Sequence, residues 1–242
     1  MKKEKLEVKN IKKTFGTIYA LNNVDMEAEK GLITGLLGDN GAGKSTLIKI
    51  LRGVYRPDSG EIYINEEKKV FKSPRDAIRE GIQCVYQDST LIEELNVSEN
   101  FFMAEEIIKS YLGGLVPFVD FERERKTAAE FLSKMGFYYD VNRQVKYLSG
   151  GERRALAVMR AFYFQPKILL LDEPVIALSE VAREKMFKIL KDIKKTCATI
   201  LVTHEVDLAL DMCDKLVILK TGKVTFKGDA SKISRKGCLK CY

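Results

Sequence analysis

The stretch GLLGDNGAGKSTLIKILRG, residues 35 to 53, constrains this chain more than any other. An apolar segment runs into a glycine-rich turn, and a lysine followed by two hydroxyl residues opens a helical pattern. The spacing G-x-x-x-x-G-K-[ST] is met by Gly38, Asp39, Asn40, Gly41, Ala42, Gly43, Lys44 and Ser45, with Thr46 next in line. Glycines permit backbone conformations that aim several amides at one phosphate chain. Lys44 then brings positive charge to the outer phosphates, and Ser45 offers a hydroxyl to Mg²⁺. The bland alternative is a glycine-rich turn with an exposed lysine, and the strand before it and helix after it argue against that.

Short β-branched segments alternate with helical patterns along the rest of the chain, which implies a largely parallel sheet flanked by helices. Strands are expected at 5–9, 24–28, 32–37, 61–65, 82–86, 168–172, 199–203 and 215–220, the first few in a more antiparallel layer. In KSPRDAIREG, Ser73 is placed to cap a helix with Pro74 at its first position and Gly81 beyond its end. RPDSGEI, at 56 to 62, carries the chemistry of a tight turn into a strand. Between about 88 and 163 the strand signal disappears. NVSENFFMAEEI and FVDFERERKTAAEFLSKMG pair caps with helical spacing, and SYLGGLVPF between them reads as a loop. The expected organisation is one domain over 1–242, with an α/β core from 1–87 and 164–228, a helical insertion at 88–163, and a tail at 229–242.

The 242 residues suffice for such a domain, and 31% charged with 45% hydrophobic content excludes general disorder. No uncharged apolar run approaches the roughly 18 to 20 residues needed to cross a bilayer. The start, MKKEKLEVKN, lacks an apolar core and cleavage site, so no signal peptide is expected. The net charge of +7 suits polyanionic ligands or an acidic membrane surface as well as an ordinary solvated face. Five cysteines without a framework fit a reducing compartment. Cys238 and Cys241 form a C-x-x-C with no further ligand nearby, which reads as part of a frayed tail rather than a zinc site.

Three later strands end in polar groups. ILLLDEP, 168 to 174, is an apolar run closing on Asp172 and Glu173, and buried strands do not end in paired carboxylates without compensation. Asp172 could hold Mg²⁺ and Glu173 could polarise an attacking water, or both could cap the following turn. His204 follows TILVT, and Gln87 follows IQCVY. A lone histidine beside a strand is commonly structural. Convergence of all three ends on the carboxyl edge of one sheet, where open α/β folds bind ligands, favours a functional reading for His204 and Gln87.

A second anion cradle lies at KYLSGGERRALAVMRAF, 146 to 162, where Ser149, Gly150, Gly151 and Glu152 tip into a long amphipathic helix. In this order the motifs resemble those of the ATP-binding subunits of ABC transporters, over residues 5 to 228. GDNGAGKST corresponds to the Walker A loop, Gln87 to the Q-loop glutamine, LSGGE to the family signature, ILLLDEP to Walker B and His204 to the switch histidine. Phe15 matches the aromatic that stacks on adenine.

The resemblance implies an α/β fold, with a P-loop NTPase core, a parallel sheet, an antiparallel β layer and an inserted α-helical subdomain. It implies a Mg²⁺-dependent ATPase that binds ATP through Phe15 and residues 38–46. Glu173, His204 and Gln87 would be catalytic, and Ser45, Gln87 and Asp172 would serve the metal. Residues 149–152 would close over the ATP of a second subunit, either a copy or a paralogue, packed head to tail. Further implied partners are a transmembrane permease, docking on the stretch 88–118, and through it a solute-binding protein, with the ATPase peripheral on the cytoplasmic face of the membrane.

Within the family the chain is most similar to ATPases of ribose, galactose or xylose importers, in GIQCVYQDSTLIEELNVSENFFMAEE and in DEPVIALSE. There Ser179 and Glu180 replace the more usual aspartate-bearing D-loop, and Val175 replaces threonine. The alternative reading is a soluble ABC ATPase acting on nucleic acid or ribosomes. Such proteins carry tandem domains, coiled-coil insertions or zinc motifs, none of which is visible, so no nucleic-acid partner is expected.

Overall fold

A computed structural model describes residues 4–86, 91–111, 116–176 and 178–242. These divide into two compact units, one of 1–87, 165–174 and 190–242 and one of 88–164 and 175–189. The helical unit thus includes 175–189, which sequence reading gave to the core.

The first unit opens with β1 (Lys5–Phe15) and β2 (Ile18–Glu29), an antiparallel hairpin that buries Leu6, Val8 and Ile11 beside Leu21, Val24, Met26 and Ala28. Next come β3 (Ile33–Leu37), α1 (Lys44–Leu51), β4 (Ser59–Ile64), β5 (Glu67–Lys69), α2 (Pro74–Arg79) and β6 (Ile82–Val85). The sheet β2-β1-β4-β5 is antiparallel throughout. Helix α2 starts as expected: Ser73 and Asp76 form a reciprocal capping box, with the Ser73 amide donating to the Asp76 carboxylate at 3.0 Å.

In the second unit the elements are α3 (Val97–Phe102), β7 (Ile108–Tyr111), β8 (Val116–Val119), α4 (Phe121–Lys134) and α5 (Gly150–Tyr163). The pair β7 and β8 is antiparallel, so the expected loop at 110–118 is largely a hairpin, with 112–115 outside the described residues. A two-stranded ribbon carries too few residues for a periodic signal, and its Gly-Gly and Pro hid it. Phe101, buried completely, anchors this unit, with Tyr163 at 5.1 Å, Phe102 at 5.3 Å and Phe131 at 5.8 Å between ring centroids.

The chain then returns through β9 (Ile168–Asp172), α6 (Glu180–Ile193), β10 (Ala198–Thr203), α7 (Val206–Met212), β11 (Lys215–Lys220), β12 (Lys223–Asp229) and α8 (Arg235–Cys241). The six-stranded sheet has the order β12-β11-β3-β10-β9-β6, parallel except for the edge strand β12. Every residue of β3 and β10 is buried, which is why those strands read as unbroken apolar runs rather than alternating ones. The expected frayed tail is instead ordered: α8 packs against α7 and β11, and Cys238 is buried completely. Its apolar content is too small to show as periodicity in so short a helix.

Replacing Phe101 by alanine removes the ring that three aromatic neighbours share. Phe101→Ala should lower stability by about 3–5 kcal/mol, read as a lower urea midpoint by circular dichroism.

Candidate functional site

Register decides which residues arrive together at the carboxyl edge of the parallel sheet. Leu37 of β3 pairs with Thr203 of β10, and Val202 pairs with Asp172 of β9. Gly38, Glu173 and His204 are therefore the next residues off three adjacent strands. Gln87, the fourth expected group at this edge, lies outside the described residues.

The loop 38–43 is gripped from two sides. A Cβ on Gly38 would stand 2.3 Å from the carbonyl of Leu219, and one on Gly43 would stand 2.4 Å from that of Ala20. Gly43 also has a φ of 108°, so no other residue serves at this helix start. The Gly222 amide donates to the Ala42 carbonyl at 3.0 Å, tying the loop to the β11–β12 turn. Asp39, Asn40, Gly41 and Ser45 are exposed, and Thr46 is half-buried. Open space surrounds Gly41, where the loop faces solvent.

Lys44 turns back into this loop, its ammonium donating to the Gly38 carbonyl and, at 3.0 Å, to that of Asp39. Burial lowers its pKa, while Glu173, Asp172 and Asp39 pull it back up. The cation is thus short of compensating negative charge, which a phosphate chain supplies. Phe15 ends β1 with 44% of its surface exposed, its ring edge against Tyr55 at 5.3 Å and the Lys13 ammonium 5.6 Å from its centroid. An exposed aromatic at this point suits base stacking.

Glu173 is 6% exposed and has a φ of 52°. For a non-glycine residue that conformation costs on the order of 1–3 kcal/mol. The end of β10 offsets the cost: the Thr203 hydroxyl donates to Glu173 Oε2 at 3.1 Å, and the His204 amide donates to Oε1 at 3.0 Å. Nδ1 of His204 also lies 2.6 Å from Oε1. An ionised carboxylate only accepts, so in this contact Nδ1 of the imidazole is the donor. Sequence reading missed Thr203; its only signal was a hydroxyl closing an apolar run just before the histidine.

Asp172 has its pKa raised, chiefly by burial and then by the neighbouring Glu173, against smaller opposite effects from Lys44 and Lys49. The Asp172 carboxylate and the exposed Ser45 hydroxyl make a small set of hard oxygen donors. No group of three or more histidine, cysteine or acidic side chains is placed to hold a metal among the described residues. Such a set fits Mg²⁺, which takes one or two protein oxygens alongside substrate phosphates rather than a full protein cage.

The second cradle lies in the helical unit. Ser149 caps α5 through a capping box, its Oγ accepting from the Glu152 amide at 3.2 Å while its own amide donates to Glu152 Oε2 at 2.7 Å. The Ser149 hydroxyl keeps its proton for a further acceptor. Gly150 is exposed, with nothing near the position a Cβ would take, so the first turn of the helix is open to solvent. A cavity of about 600 Å³ adjoins it, lined by residues 149–152 together with Tyr139, Ser179 and Lys185. Ser179 starts α6, its hydroxyl accepting from the Ala182 amide at 3.4 Å. It acts there as a helix cap.

A phosphate loop, an acidic strand end two strands away and a histidine on the strand between define a P-loop nucleotide hydrolase. The chain belongs to the ABC transporter family, whose model, described as "ABC transporter", matches residues 21–176. It is 38% identical to the xylose/arabinose import ATP-binding protein of Sulfolobus acidocaldarius, over 91% of this chain and 86% of that protein. It is 34% identical to the ribose import ATP-binding protein of Caldanaerobacter subterraneus subsp. tengcongensis, over 97% of this chain. The chain spans about half of that second relative, 47% of its length. Among solved structures, an ATP-binding cassette of an ABC transporter in its ADP conformation matches with a TM-score of 0.84 at 26% identity, covering 99% of this chain and 98% of that one. The protein is accordingly an ATPase of this family, with ATP as its nucleotide and Mg²⁺ as its metal.

The electrostatics of Asp172 predict a pH signature. An acid whose folded pKa is raised binds its proton more tightly when folded, so stability falls as pH rises from the unfolded value, near 3.8, through the folded one. Asp172→Asn should therefore raise the melting temperature of the nucleotide-free protein at pH 7. That gain should shrink towards zero as the pH falls to the unfolded value, and thermal melts across that range check it.

Proposed function

We propose that this chain energises a membrane importer of sugars by binding and hydrolysing ATP between two subunits. The observation that carries the reading is the presence of two anion cradles in separate units, each open to solvent, in a chain whose relatives are named as sugar-import ATP-binding proteins. The two units act as one ABC ATPase domain, the first holding nucleotide and the second presenting the signature.

In this reading, amides of Gly38–Ser45 and the Lys44 ammonium bind the phosphates, and Phe15 stacks on the base. Ser45, Asp172 and Gln87 hold Mg²⁺, which draws charge from the outer phosphates when bound. Glu173 accepts a proton from the attacking water. His204, donating from Nδ1 to Glu173, holds that carboxylate in place. Ser149, Gly150, Gly151 and Glu152 close over the phosphates held by a second subunit, a copy or a paralogue, and the dimer opens after hydrolysis.

The partners are that second ATPase, a transmembrane permease and, through it, a solute-binding protein. Among the described residues no helix is long and apolar enough to cross a membrane, which suits a peripheral place on the cytoplasmic face of the permease.

A positioned base contributes about 10²–10⁴ in rate. Glu173→Gln should lose that much turnover while keeping ATP affinity, as measured by single-turnover hydrolysis and equilibrium binding.

Sharing of sites is tested by mixing two inactive variants. Lys44→Ala disables the first cradle and Ser149→Arg the second, so each homodimer carries two defective sites. In a mixed dimer one site is intact and the other holds both lesions. ATPase activity in the mixture should exceed that of either parent. Verified mixed dimers that close on ATP without regained turnover would contradict an independently active shared site.

A further inference from the structure

The ordered segment after β12 reaches the catalytic edge of the sheet. Three anchors fix it. Cys238 is buried completely where α8 packs on α7 and β11. The Thr225 hydroxyl of β12 donates to the Cys241 carbonyl at 2.8 Å, and the Lys220 ammonium of β11 donates to the main-chain oxygen of Tyr242. Arg235 and Asp207 add an exposed ion pair of 3.0 Å between α8 and α7. Held in this way, Tyr242 sends its hydroxyl to the carbonyl of His204 at 2.7 Å.

That contact matters because of what the rest of His204 does. Its amide and ring both engage Oε1 of Glu173, and the Glu205 amide turns back to the Thr203 hydroxyl at 3.1 Å. Residue 204 is thus held by Glu173 on the amide side and by Tyr242 on the carbonyl side. The Tyr242 hydroxyl opposes displacement of the His204 main chain from the end of β10, a displacement that would carry its Cα and imidazole away from the carboxylate.

We propose that Tyr242 is a positioning residue for hydrolysis, a strap from α8 that fixes the His204 main chain and thereby the contact between its imidazole and Glu173. Burial raises the Tyr242 phenol, with smaller contributions from Asp39, Cys238 and Glu173, so it remains a proton donor at neutral pH. The hydrogen bond of the strap is made to His204, beside the hydrolytic carboxylate, and not to an amide of the phosphate loop. Its effect therefore falls on turnover rather than on ATP affinity. The proposal rests on the assignment of His204 and Glu173 to hydrolysis.

Tyr242→Phe removes only the donor and keeps the ring. With the full chain in single-turnover hydrolysis, one lost hydrogen bond should lower the rate about three- to tenfold, with ATP affinity unchanged. Deuterium exchange of the amides at 203–207 should rise. In a His204→Ala background the same substitution should cost nothing further, because the group it positions is gone; a purely structural role would cost the same in both backgrounds. An unchanged rate in Tyr242→Phe beside a reduced rate in His204→Ala overturns the strap alone. An equal loss in both backgrounds also overturns it. If His204→Ala itself hydrolyses ATP normally, the role of His204 fails first and the positioning proposal falls with it.

Discussion

The pairing of β10 between β3 and β9 is the constraint on which the nucleotide site depends. Three parallel strands in fixed register end together, and each carries one chemical element one residue past its end: a flexible glycine, a carboxylate and a histidine. A shift of one residue between any two of these strands would turn the polar ends to the opposite face of the sheet. The apolar strand interiors prevent it, since all of β3 and β10 and most of β9 are buried. Hydrophobic burial therefore positions groups that are themselves costly to bury.

Those groups are held by one another. Lys44, Asp172 and Glu173 are mutually coupled, and the direction of the Lys44 and Asp172 shifts shows that burial dominates over pairing at both. Binding of a phosphate chain and a divalent cation would supply the charge each lacks. Glu173 is the most constrained member, in a left-handed conformation kept by donors from Thr203 and His204. Strain of that kind persists only where neighbours over-determine it, and in this protein all those neighbours come from the end of β10.

The helical unit solves a different problem. Its core is aromatic, centred on Phe101 and Tyr163, and its product is a helix N-terminus whose first turn is open. Ser149 and Glu152 complete each other's hydrogen bonds, so the turn is rigid without any ligand, and the serine still has a proton to give. Ser179 in place of the aspartate found in most of the family acts locally as the cap of α6.

The chain's local grammar was enough to specify the phosphate loop, the helix starts at Ser73 and Ser149, the acidic end of ILLLDEP and the family to which these motifs belong. Each depends on residues within a few positions of one another, where backbone conformation and side-chain reach are set by sequence alone. Only the tertiary structure decided what lay beyond that reach. The β7–β8 hairpin, the assignment of 175–189 to the helical unit and the docking of α8 were invisible because short elements gain their stability from partners distant in the chain. For the same reason Thr203 and Tyr242 were unremarkable letters in the sequence. One bonds a carboxylate thirty positions away and the other a carbonyl thirty-eight positions away, and such contacts exist only once hydrophobic burial has closed the fold.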